Sequence, residues 1–109
     1  MINETAYEDR IAELRVGFIW PDDPKEREII AVALSLAGEA GELANKVKKK
    51  YLKGGTHRDL VTVGEILEEL GDIQGYSAML ATALSTNLRQ VRLANIEKLE
   101  ARAEERVPR

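Results

Sequence analysis

The chain has 109 residues, 44% hydrophobic and 32% charged, with a formal net charge of -3, no cysteine and one histidine. This composition fits one soluble globular domain over residues 1–109 and excludes disulfide scaffolds, thiolate metal sites and cysteine nucleophiles. The acidic balance gives no overall support to nucleic-acid binding. Charges at Glu4, Glu8, Asp9 and Arg10 interrupt any signal-like segment, and no apolar run reaches membrane-spanning length, so a cytoplasmic protein without a membrane partner is expected.

Residues 3–16 alternate charge with Ala6, Tyr7, Ile11, Ala12 and Leu14 at helical spacing, which predicts a first amphipathic helix capped by Asn3 or Thr5 and ended by Gly17. The linker 18–24 concentrates the single Phe18 and the single Trp20 beside Pro21 and Pro24. Asp23 followed by Pro24 is a start signal for a second helix, cap first and proline at the first turn. That helix is predicted from Pro24 to about Lys50, with Ile29, Val32, Leu36, Ala40, Leu43 and Val47 as its apolar stripe. Glu39 then borders the core, Glu42 points further out, and Ser35 and Lys46 extend the same polar flank. Lys46, Lys48, Lys49 and Lys50 suit the negative end of the helix dipole, and Gly54-Gly55 stops the helix.

A loop holding His57 leads to a third helix, announced by Thr62 with Glu65 three residues on and continuing to about Leu84. Its expected core face is Val63, Ile66, Leu67, Leu70, Ile73, Ser77 and Leu80, with Glu69, Asp72 and Tyr76 on the flank. Gly64, Gly71, Gly75 and Ala78 gather on another side. Because an interior glycine costs about 1 kcal/mol against alanine, that face is expected to admit a close helix or subunit approach. After a break at 85–87, a fourth helix is predicted from Leu88 to about Glu105, with Leu88, Val91, Ile96, Leu99 and Ala103 inward and Asn95, Lys98 and Arg102 on a polar stripe beside them. Four helices with short connections predict an all-α, four-helix bundle-like subunit.

Two acidic steps stand out, Glu39 with Glu42 and Glu69 with Asp72, each three residues apart and so on one side of its helix. On solvated faces such pairs cost only a few tenths of a kcal/mol. If the two steps face each other, carboxylates about 4 Å apart repel by about 4 kcal/mol per pair at an effective dielectric near 20, and a divalent cation is the natural counterweight. An all-oxygen donor set suits Mg²⁺ or Mn²⁺ rather than zinc.

The run Leu36-Ala37-Gly38-Glu39-Ala40-Gly41-Glu42-Leu43, then Glu68-Glu69-Leu70-Gly71-Asp72-Ile73 with Tyr76, then Asn95-Ile96-Glu97-Lys98-Leu99 with Arg102, resembles the MazG-type all-α nucleoside triphosphate pyrophosphohydrolases over about residues 29–102. The resemblance implies Mg²⁺-dependent hydrolysis of a (deoxy)nucleoside triphosphate to the monophosphate and pyrophosphate, with Glu39, Glu42, Glu69 and Asp72 as metal ligands. Either Glu39 or Glu42 would orient the attacking water as a base. Some relatives carry a further glutamate where this chain has Gly38, so one acidic group is missing beside the water.

Lys98 and Arg102 lead as phosphate contacts, with Asn95 in support; the alternative is a solvated helix face. Tyr76 serves core packing or contacts the nucleotide, and Trp20 stacks on a base or plugs the end of the bundle. Lys46 lies nearest the acidic flank and joins the substrate-binding candidates. So short a subunit exposes apolar flank, which predicts a homodimer or a dimer of dimers through the glycine face and the first helix. Two other classes fit less of the pattern. A non-catalytic helical adaptor would need the stripes but not the carboxylates, and a di-iron bundle would need histidines that this chain lacks.

Overall fold

The computed structural model describes residues 3–15, 19–54 and 60–106. It is all-α, with helices α1 (Glu4–Leu14), α2 (Pro24–Tyr51), α3 (Val63–Ala83) and α4 (Leu88–Arg106). Gly17, Phe18, Gly55 and His57 lie outside the described residues. Among the described residues, no helix is long and apolar enough to cross a membrane.

Local hydrogen bonds set every described helix start. Asn3, rather than Thr5, caps α1 through Ala6 N at 2.8 Å, Asp23 caps α2 through Glu26 N at 3.1 Å, and Asn87 caps α4 through Gln90 N at 3.0 Å. Thr62 and Glu65 make a reciprocal capping box at α3. At its far end, α3 closes with Ser85 at a positive φ of 62°. Ser85 N–H donates to Thr82 O and Thr86 N–H to Ala81 O, the paired bonds of a Schellman close with serine where glycine is usual.

Helices α2 and α3 run antiparallel and pack along much of their length; α3 touches α4 over a short stretch, and among the described residues α1 packs on none of the other helices. The antiparallel sense follows from three cross-links. Lys50 Nζ donates to Val61 O at 2.7 Å, Lys46 pairs with Glu69, and Leu36 shares an apolar cleft with Ser77, Leu80 and Ala81. Buried and half-buried positions recur on α2 at Ile29, Val32, Leu36, Glu39, Leu43, Lys46 and Lys50, and on α3 at Ile66, Glu69, Ile73, Tyr76, Leu80 and Ala83. Alternating steps of three and four are the spacing of two helices meeting along a coiled-coil-like seam. Val32 and Ile66 are its best-buried large apolar residues, each contributing about 1.5–3 kcal/mol by leaving water.

The seam differs from the expected stripes. Ala40 and Val47 are exposed, and Glu39 and Lys46 take the seam positions beside them. On α3, Val63, Leu67 and Leu70 were expected in the core but form an exposed second stripe, because α2 covers only the face containing Ile66 and Ile73. On α4, Leu88 is half-buried, but Val91, Ile96, Leu99 and Ala103 are exposed rather than inward. Past its first turns, α4 has no helix of the same chain to lie on. The radius of gyration of 20.5 Å, against about 13 Å for a compact chain of this size, reflects the same open arrangement.

Candidate active site

The acidic steps meet across the seam. One oxygen each from Glu39, Glu69 and Asp72 lies within 4.8 Å of the others, so three carboxylates from two helices converge. The capped, antiparallel packing explains why. It sets Glu39, one turn beyond Leu36, opposite Glu69, and the three-residue step on α3 places Asp72 on the same side as Glu69. Glu69 is 6% exposed, Glu39 half-buried and Asp72 open to solvent. Glu42 is exposed and stands outside the group of three, yet close enough for its charge to act on Glu39 and its side chain on Glu69.

The electrostatics are those of crowded acids with one internal cation. Lys46 Nζ donates to Glu69 Oε1 at 2.7 Å. With both glutamates ionised, Glu39 Oε2 and Glu69 Oε2 are buried and meet no donor. The Glu39 carboxyl is pushed up to about 7, first by its hydrogen bond with Glu69, then by burial and by the charges of Glu42, Glu69 and Asp72. A protonated Glu39 becomes the donor that Glu69 otherwise lacks. Glu69 is held below the usual carboxylate range, chiefly by Lys46 and then by the Glu39 hydrogen bond, and Lys46 is raised by the same pairing.

A cleft of about 600 Å³ opens beside the carboxylates, lined by Glu39, Gly71, Asp72, Gly75, Tyr76 and Met79. A Cβ added at Gly71 or Gly75 would meet nothing within 4 Å. Among the described residues no helix of the same chain lies close against these glycines, so of the two expected approaches, helix or subunit, the one within the chain is not made; they keep the cleft wall low. Among the described residues, Tyr76 is the one aromatic of that lining.

The remaining sequence candidates lie elsewhere. Asn95 and Lys98 line a second cleft on α4 with Val91, Arg92 and Ala94, and Arg102 lines a third with Leu99, Glu105 and Arg106. Neither cleft includes an acidic residue of the seam. Trp20 is half exposed before α2 and is not part of the carboxylate cleft. The Lys46–Glu69 pair and the place of Met79 escaped the sequence reading. Lys46 did carry a signal, since it follows Glu39 by seven residues and so returns to the same seam.

The donor set fits a hard divalent cation. It consists of carboxylate oxygens, and one oxygen each of Glu39 and Glu69 is buried without a hydrogen-bond donor while both are ionised. The fold and site define an all-α protein in which carboxylates from two facing helices converge where a cation could be held. Residues 27–107 match the MazG nucleotide pyrophosphohydrolase domain, and the chain belongs to that family. It is also similar to the Gene 37 protein of Mycobacterium phage L5, 41% identical over 75 residues that cover 65% of this chain and 62% of that protein's own length. No solved structure gives a significant match.

Proposed function

We propose that the protein is a Mg²⁺-dependent hydrolase that cleaves a (deoxy)nucleoside triphosphate to the monophosphate and pyrophosphate and so removes unwanted nucleotides, in the cytoplasm. The observation that carries this reading is the convergence of Glu39, Glu69 and Asp72 beside a nucleotide-sized cleft in a chain of this family. Glu39, Glu69 and Asp72 would hold the metal from the two helices, with Glu42 completing the set from the outer side. Bound Mg²⁺, or Mn²⁺, would neutralise phosphate oxygens, lower the pKa of a bound water and orient the leaving pyrophosphate. Either Glu39 or Glu42 would orient the attacking water as a base, Glu42 from the more open position. Tyr76 would border the nucleotide in the cleft.

The candidate phosphate contacts Lys98 and Arg102, with Asn95, line clefts on α4, apart from the carboxylates of the same chain. A homodimer or a dimer of dimers would bring such groups from a second copy to the acidic cleft, with Trp20 available to cap the base. Surface area supports assembly. The chain exposes 9260 Å², where a compact monomer of its mass exposes about 6000 Å².

The test is a panel of nucleotides with Mg²⁺, scored for monophosphate plus pyrophosphate against diphosphate plus phosphate. Glu39→Gln and Asp72→Asn should each lower kcat by about 10²- to 10⁴-fold while leaving helicity intact. Full activity in either variant would remove that residue from the proposed ligands, and a wild type that releases no pyrophosphate would return the chain to a non-catalytic helical adaptor.

A further inference from the structure

Lys46 forms an ion pair with Glu69, a carboxylate of the converging group. It lies two helical turns beyond Glu39 on the same seam, so Glu69 is approached from one side by Glu39 and from the other by the lysine. The contact is short at 2.7 Å, with the Lys46 side chain 33% exposed. It engages only Oε1; Oε2 of Glu69 is buried and, while Glu39 is ionised, without a donor. Lys46 is also absent from the lining of the cleft that contains Asp72 and Tyr76.

We infer that Lys46 is a positioning residue for the metal site: it fixes Glu69 by one oxygen so that the other is presented, ionised and pre-aimed, to a divalent cation. Three features of the geometry support this. A glutamate side chain has three rotatable bonds, and a seam position alone does not choose among its rotamers. A charge-assisted bond to one oxygen does choose, and it leaves the second oxygen directed away from the lysine. The ammonium also offsets the charge of a buried carboxylate before any metal arrives, so the two helices can pack around Glu69 in the empty site. Lys46 thus acts behind the ligand, on the side away from the nucleotide. Groups that orient a metal ligand in this way generally change metal affinity by about 10- to 100-fold when removed.

This inference rests on the metal-site reading of the previous subsection, and the experiment separates the two. Mn²⁺ binding to the nucleotide-free protein is measured by electron paramagnetic resonance, and Mg²⁺ binding by competition, for wild type, Asp72→Asn, Lys46→Met, Lys46→Gln and Lys46→Arg. Circular dichroism checks helicity for each. If wild type binds no Mn²⁺, or Asp72→Asn binds as tightly as wild type, the site reading itself fails. If that reading stands, Lys46→Met should weaken Mn²⁺ binding about 10-fold or more, Lys46→Gln by less, and Lys46→Arg should recover most of the loss. At saturating Mg²⁺ the KM for nucleotide should stay close to wild type. Should Lys46→Met lose its helicity, Lys46→Gln is read in its place. Unchanged metal affinity in the folded neutral variants would overturn the inference, and a raised KM at saturating metal would assign Lys46 to the nucleotide instead.

Discussion

The α2–α3 pair and α4 start from similar material and end differently. All three helices carry apolar residues at steps of three and four, and all three are capped at their N-termini by side chains. Yet Val32 and Ile66 are buried between α2 and α3, while Ile96 and Leu99 on α4 remain 53% and 45% exposed. The difference lies in connection and length. The turn at Ser85 sends α4 away from the end of α3, so only its first turns reach Leu80 and Leu84, and Arg92 adds one bond to Gln74. An apolar stripe therefore reports that a partner surface is needed, without stating that the partner lies in the same chain.

The comparison can be broken most directly at two isoleucines. Ile66→Ala should cost about 2–5 kcal/mol in chemical denaturation of the dilute protein, whereas Ile96→Ala should stay within about 0.5 kcal/mol. Equal losses would mean that α4 is packed as tightly as the pair. At higher concentration the roles separate again. If α4 meets a second copy, Ile96→Asp should raise the dissociation constant measured by sedimentation about 30-fold, the equivalent of a 2 kcal/mol contact. A smaller effect belongs to the turn between the two regions. Ser85→Gly relieves a left-handed residue and should stabilise by about 1 kcal/mol, seen as a raised melting temperature.

The α2–α3 pair also differs from α4 in its response to pH. Glu39 titrates near 7 in the folded protein, against an ordinary value of 4.5. The folded state therefore holds a proton that the unfolded state has released, and this contribution to stability is complete below about 4.5 and lost as pH rises through about 7. Glu69 works in the opposite sense, with its contribution lost only as pH falls below the ordinary carboxylate range toward its lowered value. Melting curves of the metal-free protein should thus decline from pH 5 to 8, and Glu39→Gln should flatten that decline. Saturating Mg²⁺ should reverse it, since metal binding competes with the Glu39 proton.

Much of this molecule was legible residue by residue. The caps at Asn3, Asp23 and Thr62, the break at 85–87 and the helices between them depend on hydrogen bonds spanning three to five residues, and so are written in short stretches of chain. The acidic steps were equally local, because a three-residue spacing places two carboxylates on one side of any helix. What the spacing could not decide was which flank of each helix becomes the seam. On α2 the apolar weight of Ala40 and Val47 competes with Glu39 and Lys46, and on α3 Leu67 and Leu70 compete with Glu69 and Tyr76.

Only tertiary packing made those choices. An antiparallel partner that presents Glu69 opposite Lys46 favours the charged flank, since a paired lysine and glutamate can occupy a seam that neither could enter alone. The same packing turned two separate acidic steps into one group of carboxylates and left Leu67, Leu70 and the length of α4 facing outward. Sequence by itself determined the helices, their ends and the chemistry they carry. Which of their faces meet is a contest between surfaces far apart in the chain, and it was decided only when α2 and α3 closed on each other.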